Sequence, residues 1–290
     1  MTTGMAVETV RGRAGLAEKA AAWKAAGLSV GLVPTMGALH RGHLSLVERL
    51  ARHVDRVVVS IFVNPTQFGP NEDFASYPRD EARDLALLSA TPAALVYLPE
   101  AAEIYGAGDA TRIRVAGIAD DLEGRERPGH FEGVATVVCK LLNHSRADAA
   151  IFGEKDYQQL LVIRRMVADL GMPCDIYGAP IVREPDGLAA SSRNAYLTTG
   201  QRAIAVRLPQ TLRELAARAE EGEPIDRLAG EGVARLLAAG FDRVDYLSFR
   251  DAETLAPIAT LSQPSRLLAV ARLGRTRLLD NLALGPALKG

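Results

Sequence analysis

Up to about Arg183 the chain alternates short apolar runs with amphipathic stretches. The runs Val30 to Pro34, Arg56 to Val63 (RVVVSIFV), Leu95 to Leu98 and Ala149 to Phe152 predict strands, the second being rich in β-branched residues. Helical patterns lie between them at Leu44–His53, Asp80–Leu88 and Val134–Asn143. Tyr157 to Leu170 predicts another helix, with Leu160, Leu161, Ile163, Met166, Val167 and Leu170 on one broad apolar face and Gly171 as its stop. Strands that are apolar throughout are buried on both faces. With helices between them they predict an α/β, doubly wound parallel sheet.

Past Arg183 the rhythm changes. Gln201 to Glu221 predicts one long helix and Ile225 to Ala239 a second, followed by strands at Val244–Phe249, Arg266–Leu273 and Arg277–Leu282. Gly274-Arg275 between the last two predicts a tight hairpin. Two helices followed by antiparallel strands predict a smaller α+β domain. Glu184-Pro185-Asp186-Gly187 is a good turn and a plausible hinge, which divides the chain into domains 1–183 and 184–290. No internal repeat is present.

Composition narrows the function classes. At 290 residues, 48% hydrophobic and 24% charged, the chain has ordinary globular values for about two domains. Lys+Arg 34 against Asp+Glu 35 leaves a formal charge of -1, so nothing favours nucleic acid as the main partner. No apolar run is long enough for a membrane span, and Met1 to Arg13 lacks the order of a signal peptide, so a cytoplasmic location is expected. Cys139 and Cys174 form neither a disulfide framework nor a CxxC site and are expected as packed reduced thiols. His53 and His144 carry no motif and are expected at the surface.

The most informative stretch is Pro34-Thr35-Met36-Gly37-Ala38-Leu39-His40-Arg41-Gly42-His43, between a strand and a helix. α/β proteins bind ligands at that edge of the sheet, and the start of the helix suits phosphate. Gly37 and Gly42 allow close backbone approach, and His40 and His43 can donate to phosphoryl oxygens. Gly153-Glu154-Lys155-Asp156 also joins a strand to a helix, though Asp156 and Lys155 can equally be a cap and a solvated charge. Ala190-Ser191-Ser192-Arg193-Asn194 offers a compact set of phosphate donors, or else a Ser-rich linker. Gln67 follows a strand, where an amide can serve a carboxylate and an amine, or simply a turn.

His40-x-Gly42-His43 resembles the HxGH motif of the nucleotidyltransferase superfamily, related to the HIGH motif of class I aminoacyl-tRNA synthetases. The string Leu32 to His40 resembles one family within it, the pantoate–β-alanine ligases (pantothenate synthetases). Val59–Gln67, Pro128–Gly133, Phe152–Gln159, Asp186–Leu197 and Leu273–Asn281 agree with that family in the same order. The resemblance covers nearly the whole chain. It implies a Rossmann-like doubly wound N-terminal domain that binds ATP and pantoate, and a smaller α+β C-terminal domain closing over the site.

By the same resemblance His43, His40, Lys155 and Arg193 are catalytic. ATP is contacted by Met36, Gly37, Ala38, Leu39, His40, Arg41, Gly42 and His43, by Gly153, Glu154, Lys155 and Asp156, and by Val182, Ala190, Ser191, Ser192 and Arg193. Gln67 and Gln159 hold pantoate, and Gln67 also β-alanine, with Asn64 supporting its loop. Many relatives have Met where this chain has Ala190. Asp84 resembles an acid that takes part in Mg²⁺ binding, although a helix-surface acid is the competing reading. Arg127 and His130 belong to a loop that either closes over pantoate or gives structural support.

The implied reaction joins (R)-pantoate to β-alanine through a pantoyl adenylate, giving pantothenate, AMP and pyrophosphate. ATP is a co-substrate with Mg²⁺, no tightly bound organic cofactor is needed, and a homodimer is implied. Such a reaction needs no covalent nucleophile, which fits the lack of a Ser/His/Asp or Cys/His set. A nucleotidyltransferase acting on a phosphate-bearing acceptor would share HxGH but should not need Gln67, Gln159 and the SSRN block. A nucleotide-binding module without chemistry should not need all of His40, His43, Lys155 and Arg193.

Overall fold

In the computed structural model, which describes residues 6–70 and 72–285, the chain divides into two compact units. The first comprises residues 1–154 and 159–180, the second residues 155–158 and 181–290. The turn Lys155–Gln158 therefore belongs with a unit whose remaining residues come later in the chain.

Six strands form the sheet of the first unit: β1 (Thr9–Val10), β2 (Val30–Thr35), β3 (Arg56–Ile61), β4 (Ala93–Tyr97), β5 (Ala149–Gly153) and β6 (Asp175–Ala179). They pair in parallel in the order β1-β4-β3-β2-β5-β6. The expected doubly wound sheet is present, with two strands beyond those the apolar runs predict.

Alternation along the strands fills two separate cores. Leu32, Val58, Ala150 and Phe152 join one cluster with Leu16, Phe131, Val134, Leu160, Ile163 and Met166 from helices Arg13–Ala25, His130–Ser145 and Tyr157–Asp169. Their neighbours Val33, Val57, Val59, Ala149 and Ile151 join another with Leu46, Val47 and Leu50 of helix Arg41–Leu50 and Leu88 of helix Glu81–Leu88. Both faces are dry, which is why these strands lack polar alternation.

From β2 the chain runs one way to β3 and β4, while β5 and β6 lie on the other side of it. The strand order thus reverses between β2 and β5, the place where ligands enter open α/β sheets.

The second unit packs helices Thr199–Ala205, Arg207–Glu220 and Ile225–Ala238 with the antiparallel strands β7 (Arg243–Asp251), β8 (Ser265–Leu273) and β9 (Thr276–Leu284). The single helix expected over Gln201–Glu221 is broken at Val206. Pro209 has no N–H to give the Ala205 carbonyl and its ring crowds that carbonyl, so the chain restarts as a new helix. The hairpin is as expected, Leu273 pairing with Thr276 across Gly274-Arg275.

The turn expected to hinge carries ion pairs within the second unit. Arg183 forks onto buried Asp280 at 2.7 and 2.9 Å, and Arg202 reaches Glu184 at 2.6 Å and Asp186 at 2.7 Å.

His144 is not a surface residue: it is half-buried, and burial pushes its pKa down. His53 is exposed and stacks on Tyr177 at 4.4 Å. Both cysteines are free and half-buried rather than fully packed, and burial pushes the Cys174 thiol up to about 12.

Candidate active site

The loop after β2 is built by a buried carboxylate. Gly37 and Ala38 both turn through the left-handed region, with φ of 81° and 50°. Glycine accepts that conformation freely, whereas alanine pays on the order of 1 kcal/mol. The turn aims backbone N–H groups of Ala38 and Leu39 at Asp84, whose Oδ1 accepts from Leu39 at 2.7 Å. A Cβ on Gly37 would sit 3.1 Å from Asp84 Oδ2, so glycine also makes room for the anchor.

Asp84 is 1% exposed; burial pushes its carboxyl pKa upward while the two N–H groups pull it back. Its carboxylate is engaged in shaping this loop. Among the described residues no group of three or more His, Cys, Asp or Glu could hold a metal ion.

Helix Arg41–Leu50 begins with an unusual reciprocal cap. His40 Nδ1 accepts from Gly42 N–H at 3.1 Å, and His43 Nδ1 accepts from His40 N–H at 3.4 Å. The two rings lie 4.1 Å apart, tilted by 33°. An Nδ1 that accepts carries no proton, so in each neutral ring the N–H is at Nε2. The cap thereby fixes two imidazoles as donors at the amino end of a helix, where orphan N–H groups also favour an anion. Helix propensity does not explain two histidines here; the local hydrogen bonds do.

On the far side of β3, residues 64–67 form a second tight construction. Asn64 is 1% exposed and caps the turn Pro65–Gln67. Its Oδ1 accepts from Thr66 N, Thr66 Oγ1 and Tyr105 OH at 3.3, 3.0 and 2.8 Å. Its Nδ2 donates to Gly133 O at 3.2 Å and to Gln67 Oε1 at 3.1 Å. Gln67 Nε2 in turn meets Met36 Sδ at 3.2 Å, so Gln67 joins the loop after β2 to this turn. Asn64 supports Gln67 as expected; Thr66 lies within the Val59–Gln67 block, whereas Tyr105 carries no motif.

Gly153 ends β5 and Glu154 follows it; β5 lies next to β2 in the sheet, so both residues share its carboxyl edge with the His40 loop. A Cβ on Gly153 would meet nothing within 4 Å, and its φ is not positive, so the fold itself does not demand glycine there. Gln159 lies half-buried on helix Tyr157–Asp169.

In the second unit, the carbonyl of Lys155 accepts from Asn281 Nδ2 at 3.0 Å, and Lys155 Nζ lies 3.8 Å from Asp156 Oδ1. Ala190 N–H donates to Val182 O at 2.9 Å, which sets these two expected nucleotide contacts side by side. Ser191 Oγ accepts from Arg193 N–H at 3.3 Å and so starts the turn Ser192–Tyr196, leaving its own proton for another acceptor. Asn194 braces that turn on Glu184 Oε1 at 2.6 Å and Ala189 O at 3.0 Å.

Comparison with known proteins converges on one family. The sequence model of the pantoate-beta-alanine ligase family matches residues 8–283. A pantothenate synthetase of Paramagnetospirillum magneticum is 56% identical over 281 residues, covering 97% of this chain and 99% of that protein. One from Rhodospirillum rubrum is 57% identical over 263 residues, covering 90% and 93%. Among solved structures, the pantothenate synthetase of Thermus thermophilus superposes with a TM-score of 0.90 at 46% identity, covering 97% of this chain and 100% of its own. The Francisella tularensis pantoate-beta-alanine ligase, in complex with beta-gamma ATP and beta-alanine, gives 0.79 at 32% identity, covering 96% and 97%.

Proposed function

The chain belongs to the pantoate–β-alanine ligase family, and from that premise we propose how its own residues carry out the ligation. The acceptor is thus a carboxylate to be joined to an amine, and the nucleotidyltransferase alternative falls away. A carboxylate does not condense with an amine at neutral pH because its oxygen is a poor leaving group. In our reading, a pantoate carboxylate oxygen attacks the α-phosphorus of ATP and pyrophosphate departs. The β-alanine amine then attacks the acyl carbonyl, loses a proton, and AMP departs with the former carboxylate oxygen.

The observation that carries this reading is the reciprocal cap of His40 and His43 at the strand-order reversal. It preorganises two neutral donors where charge grows on the α-phosphoryl oxygens, the arrangement that favours a transition state over a ground state. Gly153 keeps the end of β5 open for close approach of the nucleotide. On the family resemblance Lys155, Ser191, Ser192 and Arg193 are further phosphate donors, Val182 and Ala190 adenine contacts, and Glu154 and Asp156 further nucleotide contacts. Mg²⁺ would offset the charge of the triphosphate, with Asp84 the candidate acid for binding it. Cytoplasmic location and a homodimer complete the reading, both on the family resemblance; among the described residues no helix is long and apolar enough to cross a membrane.

Supplying ATP, Mg²⁺, pantoate and β-alanine should yield free AMP and pantothenate in equal amounts. A nucleotide retained on the product would overturn the scheme.

The two glutamines should separate by half-reaction. Gln159→Ala should weaken pantoate and slow adenylate formation, on the order of 10-fold for a lost positioning contact. Gln67→Ala should slow both halves. If preformed pantoyl adenylate reacts with β-alanine at the normal rate in the Gln67 variant, its second role is wrong.

Nucleotide should also order the Ser-Ser-Arg turn. Glu184 and Asp186 are already tied by Arg202, so ATP-dependent protection from amide exchange is expected at residues 190–196. Arg193→Ala should lose most of that protection with little change in thermal unfolding. Equal exchange with and without ATP would show that the turn does not respond to nucleotide.

A further inference from the structure

Gln67 is held not only through its side chain but through its main-chain carbonyl, by a chain of three residues that the reaction scheme does not use. His130 Nδ1 lies 2.9 Å from Gln67 O. A carbonyl only accepts, so this nitrogen carries the proton and Nε2 is left as an acceptor. Arg127 Nη1 fills that role at 3.1 Å. The other edge of the same guanidinium forks onto Glu72, with Nε to Oε1 at 2.7 Å and Nη2 to Oε2 at 2.6 Å. Nη2 also reaches Gln67 O at 3.3 Å, so the carbonyl has two donors.

Every hydrogen-bond role in this chain is dictated by the next. His130 is 8% exposed, and burial together with the neighbouring positive charge of Arg127 pushes its pKa down to about 4, against the opposing pull of Glu123 and Glu72. The ring therefore stays neutral in the tautomer the chain requires. Glu72 keeps its charge, its carboxyl held below the ordinary range by the Arg127 fork despite the opposing effect of burial. Glu123 also faces Arg127, at 3.8 Å.

The far end of Gln67 is set with equal definition. Asn64 fixes Oε1, which leaves Nε2 directed at Met36 Sδ. A thioether is a weak acceptor, so a substrate carboxylate or hydroxyl oxygen would take that N–H in its place. Carbonyl and amide of one residue are thus located independently, which is more than a turn of three residues needs for its own stability.

We infer that Glu72, Arg127 and His130 are positioning residues that fix the orientation of the Gln67 amide toward pantoate and β-alanine. The inference rests on the reading of Gln67 as a substrate contact.

The test is a steady-state comparison with thermal unfolding as a folding control. His130→Ala, Arg127→Lys and Glu72→Gln should each raise KM for pantoate on the order of 10-fold, because a displaced contact costs about that much or more. KM for ATP should stay within about twofold, since none of the three residues reaches the His40 loop. His130→Asn, which keeps an N–H near the Nδ1 position, should recover most of the loss. In a Gln67→Ala background, His130→Ala should add less than about twofold, the non-additivity expected of residues acting through one group.

Folded His130→Ala and Arg127→Lys variants with normal pantoate KM, beside an impaired Gln67→Ala, would overturn the inference alone. A full additional loss in the Gln67→Ala background would also overturn it, by showing that the three act elsewhere. Gln67→Ala with normal pantoate and β-alanine kinetics would overturn the reading of Gln67 and the inference with it.

Discussion

Replacing His43 with Ala should slow adenylate formation by about 10²-fold or more, the usual scale for removing a donor that acts in the transition state. Pantoate binding, measured separately, should change little. The ring does two jobs: its Nδ1 accepts the His40 N–H at 3.4 Å, and that bond leaves Nε2 as the donor. Loss of the first costs about 1 kcal/mol or less of helix capping and should appear as a small drop in thermal stability. Loss of the second should appear in pantoate-dependent exchange between ATP and pyrophosphate. The two are separable because capping strength and exchange rate are independent readouts. Near-normal exchange in a folded His43→Ala protein would remove His43 from the chemical step.

Gly133→Ala should be the most damaging single-methyl change near Gln67. Helix His130–Ser145 crosses the 64–67 turn backbone to backbone, and a Cβ on Gly133 would stand 2.4 Å from Thr66 O and 2.8 Å from Gln67 N. Neither neighbour is a flexible side-chain tip that can swing aside. Either helix or turn must move, at roughly 2 kcal/mol for overpacking a fixed site. The 3.2 Å bond from Asn64 to Gly133 O would be strained by the same shift. The expected result is a melting temperature lower by several degrees, together with a raised KM for pantoate. Unchanged stability would mean that the turn yields easily, and its rigidity could then not be what orients Gln67.

Much of this architecture is legible in the chain because the sheet is dry on both faces. Val30 to Thr35, Arg56 to Ile61 and Ala149 to Gly153 stand out as apolar runs and are strands. β1 has only two residues, too few for any pattern, and β6 reads Asp-Ile-Tyr-Gly-Ala, a half-exposed edge strand without an apolar run. Apolar periodicity starts helix Arg41–Leu50 at Leu44, whereas the cap starts it three residues earlier, since His40 supplies its N-terminal bonds by side-chain chemistry.

The motifs single out His40, His43, Gln67 and Gln159 as candidates. They did not give Asp84 its work on the Leu39 N–H, 45 residues away, nor pair Arg127 with Glu72 across 55 residues. Such contacts depend on which loops the fold brings together, and no local spacing encodes them. Asp84 also shows that a carboxylate that organises backbone N–H groups and one that ligates a cation look alike in sequence.

The turn Lys155–Gln158 has a consequence for synthesis on the ribosome. Three of its contacts come from far along the chain: Tyr157 OH donates to Ala252 O at 2.8 Å, Arg266 lies 3.7 Å over the Tyr157 ring, and Asn281 holds the Lys155 carbonyl from 126 residues downstream. At ordinary elongation rates those residues emerge on the order of ten seconds after the turn itself. The parallel sheet can form in that interval, since all its strands precede residue 180. The Lys155 carbonyl must wait for Asn281, whereas the hydrogen bonds among His40, Gly42 and His43 need no later residue. A chain released before Asn281 emerges would carry the sheet without the hydrogen bond that holds the Lys155 carbonyl.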